Sequence, residues 1–509
     1  MTTGRGANAA GQEISMPVLT TTAAALLLAG QAQAAPLPPD TRDVPATATP
    51  TTSAPPLTGE GERESGRDAA AAFSPGATQA APADQSKAPT GFARFQRNNA
   101  IGKALRSLND QGVDLTLDFV GNVAANPIGG VRHGSAESHW VMAAADIDLE
   151  KALGWSDTKL HVQGAWFTGD SLGRDSIGNS ISFQQTWRPV SGPRLTQLNI
   201  EHDFGKLNLM VGRAAVNSYF NNSPLNCAFM SNTSCLTAYG AISDIGITAY
   251  PNSSWAAKAR YAIDDRWYVQ TGAFEYNNDL NAKGKGGLDF SLGKGTGVLI
   301  PGEVGYQTSF AQERLPRRYR LGFYLNTDGG QSPYFDANGN SAALSGLPRA
   351  GRGGNRLGLY AMADQTVARA QGASKRNLAL FGRFFLNAGN VQSIDWFASA
   401  GFVKTGTFKG RDNDTIGLLV TNTHFSDQQI AYLRDLRAKA GGTGSPEANE
   451  IITELNYGWA ALPGLRIMPN VQYVINPDPI YATSRKTDIP DAVVLGLRVD
   501  VHLAQLFGG

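Results

Sequence analysis

Apolar and polar residues alternate along the last strand candidate of this chain, from Val493 to Leu503. An extended strand sends successive side chains to opposite faces, so the segment has one apolar face and one largely polar face. Residues Leu465–Ile475 alternate in a similar way. Strands of this kind bury their apolar face either in a protein core or in lipid, and that choice decides the class of protein. The largely polar face of the last strand carries Val494, Gly496, Arg498, Asp500 and His502.

The composition of the chain narrows the choice. Its 509 residues include 44 basic and 43 acidic side chains, so no excess of positive charge favours a nucleic-acid partner. Beyond the N-terminus, no apolar run approaches the roughly 18 residues that a membrane-spanning helix needs. If the protein lies in a membrane, it is therefore expected to cross the bilayer with strands.

The N-terminus is typical of an exported protein. Leu19–Gly30 is a short apolar run, and Ala32 and Ala34 after it form a small-residue cleavage pattern. Residues 1–34 are therefore predicted to be a signal peptide. The start of translation is open between Met1 and Met16, and a disordered Ala-rich tail is the alternative interpretation.

The segment that follows, residues 35–91, is rich in Pro, Ala, Thr and Ser. It has too few large apolar side chains to offset the entropy lost on ordering, so we predict a disordered linker. The composition leaves open whether it is a plain flexible leader or a tether to a periplasmic partner.

Cys227 and Cys235 are the two cysteines of the chain, and a polar loop holds both. Export places the protein in an oxidising compartment, where a pair of cysteines at this short spacing favours a disulfide over a metal site.

Strand candidates dominate the rest of the chain. Residues 92–110 have the apolar spacing of one short helix, and residues 111–509 hold roughly 16 or 17 strand candidates, Ile245–Tyr250 among them. Ser426 is placed to cap a single helical interruption that runs to Ala440. A propeller, a solenoid, tandem sandwiches and one large barrel all suit such a chain. Short turns between some strands and long loops between others favour the membrane barrel.

Two features favour an apolar face that points into lipid. Aromatic residues lie near strand ends, where an interfacial girdle is expected: Trp140, Trp166, Tyr250, Trp255, Trp267, Trp396 and Trp459. The polar face of the strands carries many charged residues, which suit a water-filled lumen: Glu201, Arg213, Arg318, Arg320, Arg383, Glu454, Arg466, Arg498 and Asp500. We therefore predict an all-β, 16-stranded antiparallel transmembrane barrel, a size that leaves an aqueous channel.

Nine short motifs also resemble, in order and spacing, the carbohydrate-selective porins of the OprB family. The resemblance covers about Arg97 to Leu503. The motifs are Leu209–Arg213, Ser223–Cys227, Pro301–Tyr306, Leu315–Gly322, Ala363–Gln365, Phe381–Arg383, Gly410–Asp412, Pro469–Tyr473 and Val494–Arg498.

The resemblance implies an outer-membrane porin that admits monosaccharides and other small carbohydrates to the periplasm by facilitated diffusion. It implies no cofactor, and it leaves a monomer and a trimer equally open. Barrels of this class usually end on an aromatic strand residue, whereas here Phe507 is followed by two glycines. Two alternatives stay open: Phe507 serves as that residue with a two-residue overhang, or the recognition of the barrel end differs from the family pattern.

Six charged residues inside the matching motifs are candidate pore and carbohydrate contacts. An arginine fork offers several fixed donors to neighbouring hydroxyl groups, and a glutamate offers acceptors. The alternative is that each belongs to the general wall of the lumen. The candidates are Arg213, Glu303, Arg318, Arg320, Arg383 and Arg498.

Three functions other than a sugar pore are compatible with strands of this kind to different degrees. A barrel accessory to polysaccharide export has the same wall and stays an alternative. An enzyme is disfavoured, because none of the six histidines has a metal-ligand spacing such as HExxH and no GxSxG motif occurs. We therefore expect no catalytic or metal site. A soluble glycan-binding β-domain would lack the lipid-facing surface.

Overall fold

The computed structural model describes residues 90–189, 191–233, 235, 238–281, 285–371, 375–389 and 392–509. The predicted signal peptide and nearly all of the predicted linker lie outside these residues. Within the described part of the chain, no helix has the length and apolar character to cross a membrane.

Sixteen strands close into one antiparallel barrel, as predicted. Each strand pairs with its neighbours in the sequence, and the last strand, β18 (Ala492–His502), pairs with the first, β1 (Val113–Ile128), to close the ring. This pairing sets Asp500 opposite Val120. The first eight barrel strands are β1 Val113–Ile128, β2 Gly134–Asp148, β3 Thr158–Gly169, β4 Gly192–Phe204, β5 Leu207–Ala214, β6 Ser254–Ala262, β7 Trp267–Tyr276 and β8 Gly297–Gln307.

The second half of the ring begins with β9, Arg317–Asn326, and continues with β12. Between them, β10 (Gln331–Asp336) and β11 (Arg349–Gly351) pair with each other in a separate two-stranded sheet. The remaining barrel strands are β12 Arg356–Arg369, β13 Asn377–Asn387, β14 Ile394–Thr405, β15 Thr415–Phe425, β16 Asn449–Leu462, β17 Leu465–Ile475 and β18 Ala492–His502.

The apolar parity of the strands faces outwards. On β18, Leu495 and Leu497 are 49% and 42% exposed, whereas Arg498 and Asp500 are buried in the lumen. This pattern continues around the ring and exposes a belt of large apolar side chains, as a lipid-facing wall requires. Among the predicted girdle residues, Trp166, Trp255, Trp267, Trp396 and Trp459 lie on the outward parity, but Trp140 and Tyr250 are buried inside the barrel.

The connections differ sharply between the two ends of the barrel. One end has tight turns such as Gly205–Lys206 and Pro463–Gly464, and we call it the short-turn end. The other end carries long connections such as residues 170–191, 215–253 and 476–491, and we call it the long-loop end. Both described chain termini lie at the short-turn end, because β1 starts there and β18 finishes there.

The strand predicted over Ile245–Tyr250 was wrong. Residues Ala241–Ile245 form a short helical turn, and Gly246 then takes a positive φ of 71° that ends it. This stretch belongs to the long connection between β5 and β6, which is not part of the barrel wall and folds into the barrel. Its apolar side chains pack against residues of other strands inside the barrel, so apolar content alone did not identify a strand.

Six helices are described: α1 Thr90–Asn98, α2 Ala100–Asp110, α3 Leu149–Leu153, α4 Ala342–Ser345, α5 Asp427–Lys439 and α6 Leu503–Phe507. The cap predicted for α5 is confirmed, because Ser426 Oγ accepts a hydrogen bond from Gln429 N at 3.2 Å. Two helices replace the single one expected over 92–110. Asn99 is extended between them, and its Oδ1 accepts from Gly102 N to begin α2.

The two N-terminal helices hold the C-terminal end of the chain. Gln96 Nε2 donates to Gln505 O at 2.7 Å, and Asn99 Nδ2 donates to Phe507 O at 2.9 Å. The Phe507 ring lies 5.9 Å from the Phe95 ring. Phe507 therefore ends a short helix packed against α1 and is not part of the closing strand.

Candidate pore constriction

Two long connections from the long-loop end fold into the lumen. We call residues 170–191 the first inner segment and residues 215–253 the second inner segment, and most of their described side chains are buried. In the second inner segment, Ser223 caps a short turn at Pro224–Cys227 by accepting from Leu225 N at 3.2 Å. Cys227 and Cys235 are joined by a disulfide bond with an S–S distance of 2.12 Å.

On one side of the ring, β16 and β18 hold the second inner segment. Glu454 accepts hydrogen bonds from the backbone N–H groups of Met230 at 2.8 Å and Ser231 at 2.7 Å. Arg498 Nη1 donates to the carbonyl oxygens of Cys227 at 3.2 Å and Phe229 at 3.0 Å. The predicted contact Arg498 is thus fully buried against the backbone of the segment.

On the opposite side, Glu303 on β8 forms the centre of a second anchor. Its carboxylate accepts from Tyr268 Oη at 2.7 Å, Gln270 Nε2 at 2.8 Å and Tyr360 Oη at 2.8 Å. It also accepts from Asn221 N at 3.4 Å. These contacts fix Glu303 between the wall and the second inner segment.

Three more of the candidate arginines lie near the same anchor. Arg383 Nη2 donates to Asn221 O at 3.2 Å, and Arg320 Nη1 donates to the carbonyl and amide oxygens of Asn222. Arg318 Nε lies 3.7 Å from Asp364, whose carboxylate accepts from Ser223 Oγ of the second inner segment at 2.6 Å. Five of the six predicted contacts therefore lie on the lumen face and lead to the second inner segment.

The sixth candidate, Arg213, lies on the other face. Its register partners on β4 and β6 are Leu198 and Trp255, and Val211 on the same parity is 62% exposed on the outside of the wall. The guanidinium donates to Asp289 O at 2.8 Å, in the connection between β7 and β8. Arg213 therefore contacts a loop outside the barrel. The prediction that it lies on the lumen face was wrong.

Two contact groups hold the first inner segment. Near β2, Gln184 Nε2 donates to Ser138 Oγ at 3.2 Å. At the far end, Asn179 Nδ2 donates to Glu450 at 3.1 Å, and Ser180 N and Oγ both donate to Asp478. Burial raises the pKa of Asp478. The first inner segment is thus bound to strands on both sides of the β1–β18 seam.

Arg188 differs from most of the first inner segment, because the residue is only partly buried. Nη1 donates to Gln185 O at 2.6 Å, Trp187 O at 2.7 Å and the Asn232 amide oxygen at 3.3 Å. The guanidinium carbon lies 5.7 Å from the centre of the Phe167 ring, on the lumen face of β3. Burial lowers the pKa of Arg188 to about 10, so the side chain keeps its charge at neutral pH.

Among the described residues, Nε and Nη2 of Arg188 have no hydrogen-bond acceptor and no carboxylate partner. Sequence reasoning missed Arg188 because it searched strands, and this residue lies in a loop. The one signal was the run Trp187-Arg188-Pro189, an aromatic beside a charge in a stretch rich in Ser and Gln.

The described residues contain no group of three or more His, Cys, Asp or Glu side chains that could hold a metal ion.

A sixteen-stranded barrel with an apolar outer belt, a polar lumen and two inward-folded segments is the architecture of an outer-membrane porin. Comparison with known proteins identifies the family. Residues 132–503 match the carbohydrate-selective porin, OprB family, and the chain belongs to that family. It is accordingly an outer-membrane carbohydrate porin.

Individual relatives agree with this assignment. Porin B of Pseudomonas aeruginosa is 30% identical over 409 residues, which cover 77% of this chain and 88% of that protein. The putative porin QuiX of Acinetobacter baylyi is 24% identical over 79% of this chain and 91% of its own length. The high-pH structure of Pseudomonas putida OprB superposes with a TM-score of 0.72 at 29% identity, covering 79% of this chain and 97% of that one.

Proposed function

We propose that small carbohydrates pass this barrel by passive diffusion, between the two inner segments and the wall, and that Arg188 contacts them on the way. The protein acts as a channel and carries out no chemistry of its own. The observation that carries the proposal is the partly buried residue Arg188, whose Nε and Nη2 have no acceptor among the described residues.

The candidate residues on the strands take a different part in this proposal. Glu303, Arg320, Arg383 and Arg498 position the second inner segment and so set the size of the passage. Arg318 supports it through Asp364. We propose that these five residues act on selectivity through the segment that they hold, because their charged groups are engaged with it or lie behind it.

Binding in such a passage has to be weak. A passive pore must release its solute, so millimolar affinity is expected, on the order of −4 kcal/mol. An arginine supplies part of this free energy, because one hydrogen bond from its charged group to a hydroxyl contributes about 1.5–3 kcal/mol. Flux then follows the concentration gradient of the sugar.

The test is the swelling of liposomes that contain the purified protein. We expect faster swelling in monosaccharides than in disaccharides at equal osmolarity, and a sugar-dependent decrease of ion current in planar bilayers. A barrel that conducts ions but shows no sugar flux and no sugar block would contradict the proposal.

A further inference from the structure

The connection between β7 and β8 returns to the outside of the barrel wall. We call residues 285–296 the outer loop. Gly286 O accepts a hydrogen bond from Leu195 N at 2.8 Å, and Phe290 O accepts from Trp255 Nε1 at 2.9 Å. Both Leu195 and Trp255 lie on the outward parity of their strands. The outer loop therefore lies against β4–β6 on the side that faces lipid.

A charged wall residue explains why the loop stays there. Arg213 lies on the outward parity, where an unshielded cation in contact with lipid is costly. Its side chain is nevertheless fully buried. Nη1 donates to Asp289 O at 2.8 Å, Nη2 donates to Ser253 O at 2.6 Å, and the guanidinium carbon lies 5.1 Å from the centre of the Phe290 ring. Lifting the outer loop would expose this charge.

The outer surface of the loop is apolar. Leu288, Phe290 and Leu292 are 66%, 42% and 66% exposed. The neighbouring wall residues Ile200 and Val211 are 45% and 62% exposed on the same side, so the loop continues the lipid-facing belt. Two ion pairs neutralise charges of the connection: Lys285 with Asp289 at 2.9 Å, and Lys294 with Asp279 at 2.8 Å.

The long loops of such barrels face the cell exterior, so the long-loop end lies beside the outer leaflet. We propose that the outer loop is embedded in this leaflet, where Leu288, Phe290 and Leu292 contact the acyl chains of the lipid. Lipid is the expected partner because the loop continues the apolar belt, and the same face of β4 and β5 already contacts lipid. A loop that emerges at the long-loop end thus becomes part of the membrane-facing surface over the short strands β5 and β6.

The test uses a fluorescent label attached to Leu288→Cys. The two native cysteines are bonded to each other, so the new thiol is the reactive one. In bilayers of brominated phospholipid we expect loss of fluorescence at position 288, and protection from aqueous iodide. The matched control is Leu347→Cys, whose leucine is 47% exposed in the long connection between β9 and β12, and there we expect the reverse.

Leu292→Cys repeats the measurement at a second position on the outer loop. Iodide quenching at 288 and 292 as strong as at 347, without bromine quenching, would overturn the proposal. So would self-quenching that rises with the protein-to-lipid ratio in ordinary lipid, since it would mean that a second copy of the chain covers the loop.

Discussion

Glu303 on β8 and Arg498 on β18 stand on opposite sides of the sixteen-strand ring, and both hold the second inner segment. Glu303 accepts from Asn221 N at 3.4 Å, and Arg498 donates to Phe229 O at 3.0 Å. A segment pinned at two opposite walls spans the lumen, so its position sets the width of the passage. The buried charges of Glu303 and Arg498 thus hold this segment in place.

The anchor at β16 gives the first prediction. Glu454→Gln removes the charge that holds Met230 N and Ser231 N and turns an amide NH2 towards a backbone donor, which costs about 1–3 kcal/mol. We expect a looser second inner segment, with higher and noisier single-channel conductance and faster entry of disaccharides. Planar-bilayer recording measures the first effect and liposome swelling the second.

The same substitution at an exposed site controls for the loss of charge. Glu447 is exposed in the connection between β15 and β16, so Glu447→Gln should leave both measurements unchanged. Equal behaviour of the two variants would show that Glu454 does not hold the segment.

Arg188 gives the second prediction. Arg188→Gln removes the charged donors and should weaken the block of ion current by sugar about tenfold, or about 1.4 kcal/mol. Arg188→Lys keeps the charge but loses the fork, so an intermediate effect is expected. The control is Arg174→Gln on the same inner segment, since the Arg174 side chain is 42% exposed and paired with Asp175. A sugar block that is equal in both glutamine variants would remove Arg188 from the pathway.

The contact of helices α1 and α2 with the C-terminal helix α6 gives the third prediction. A Cβ atom at Gly102 would lie 2.1 Å from Phe507 O, so Gly102→Ala must displace the C-terminal helix, at a cost of about 1–3 kcal/mol. We expect the compact barrel to unfold at lower temperature, as read from its mobility on detergent gels after heating. Ile101→Ala, at a 52% exposed position of the same helix, should have little effect. An unchanged unfolding temperature in Gly102→Ala would mean that the contact of α2 with the C-terminal helix α6 adds nothing to barrel stability.

The disulfide gives the fourth prediction. A disulfide that closes a loop of this length stabilises the folded protein by about 2–3 kcal/mol, because it restricts the unfolded chain. Cys227 is also buried, and its carbonyl oxygen accepts a hydrogen bond from Arg498. Replacing both cysteines by serine should therefore lower the thermal stability and increase current noise. Reductant should lower the stability and increase the current noise of the wild type in the same way, and should have no effect on the double serine variant. An effect of reductant on that variant would show that the change does not come from the disulfide.

The wall was largely predictable from the chain alone. The alternation from Val493 to Leu503 assigned Arg498 and Asp500 to one face and Leu495 and Leu497 to the other, and the structure has them so. The rule is local, because a strand has a period of two wherever it occurs.

Polarity was a poorer guide than register where a loop covers the wall. Arg213 was placed in the lumen because it is charged, yet its register partners Leu198 and Trp255 face outwards. Trp140 was placed in the girdle because it is aromatic, yet it is buried inside the barrel. In both cases distant segments changed the environment of a wall residue, and no local pattern reports such a segment.

By itself, then, the sequence determined the class of the protein: its strands, their two faces, the barrel that they close and the family. Only the tertiary structure decided what lies in the lumen. The anchor of Met230 on Glu454 joins residues 224 positions apart, and that of Asn221 on Glu303 joins residues 82 apart. Side-chain periodicity acts over a few residues, whereas the constriction depends on contacts that exist only once the ring has closed.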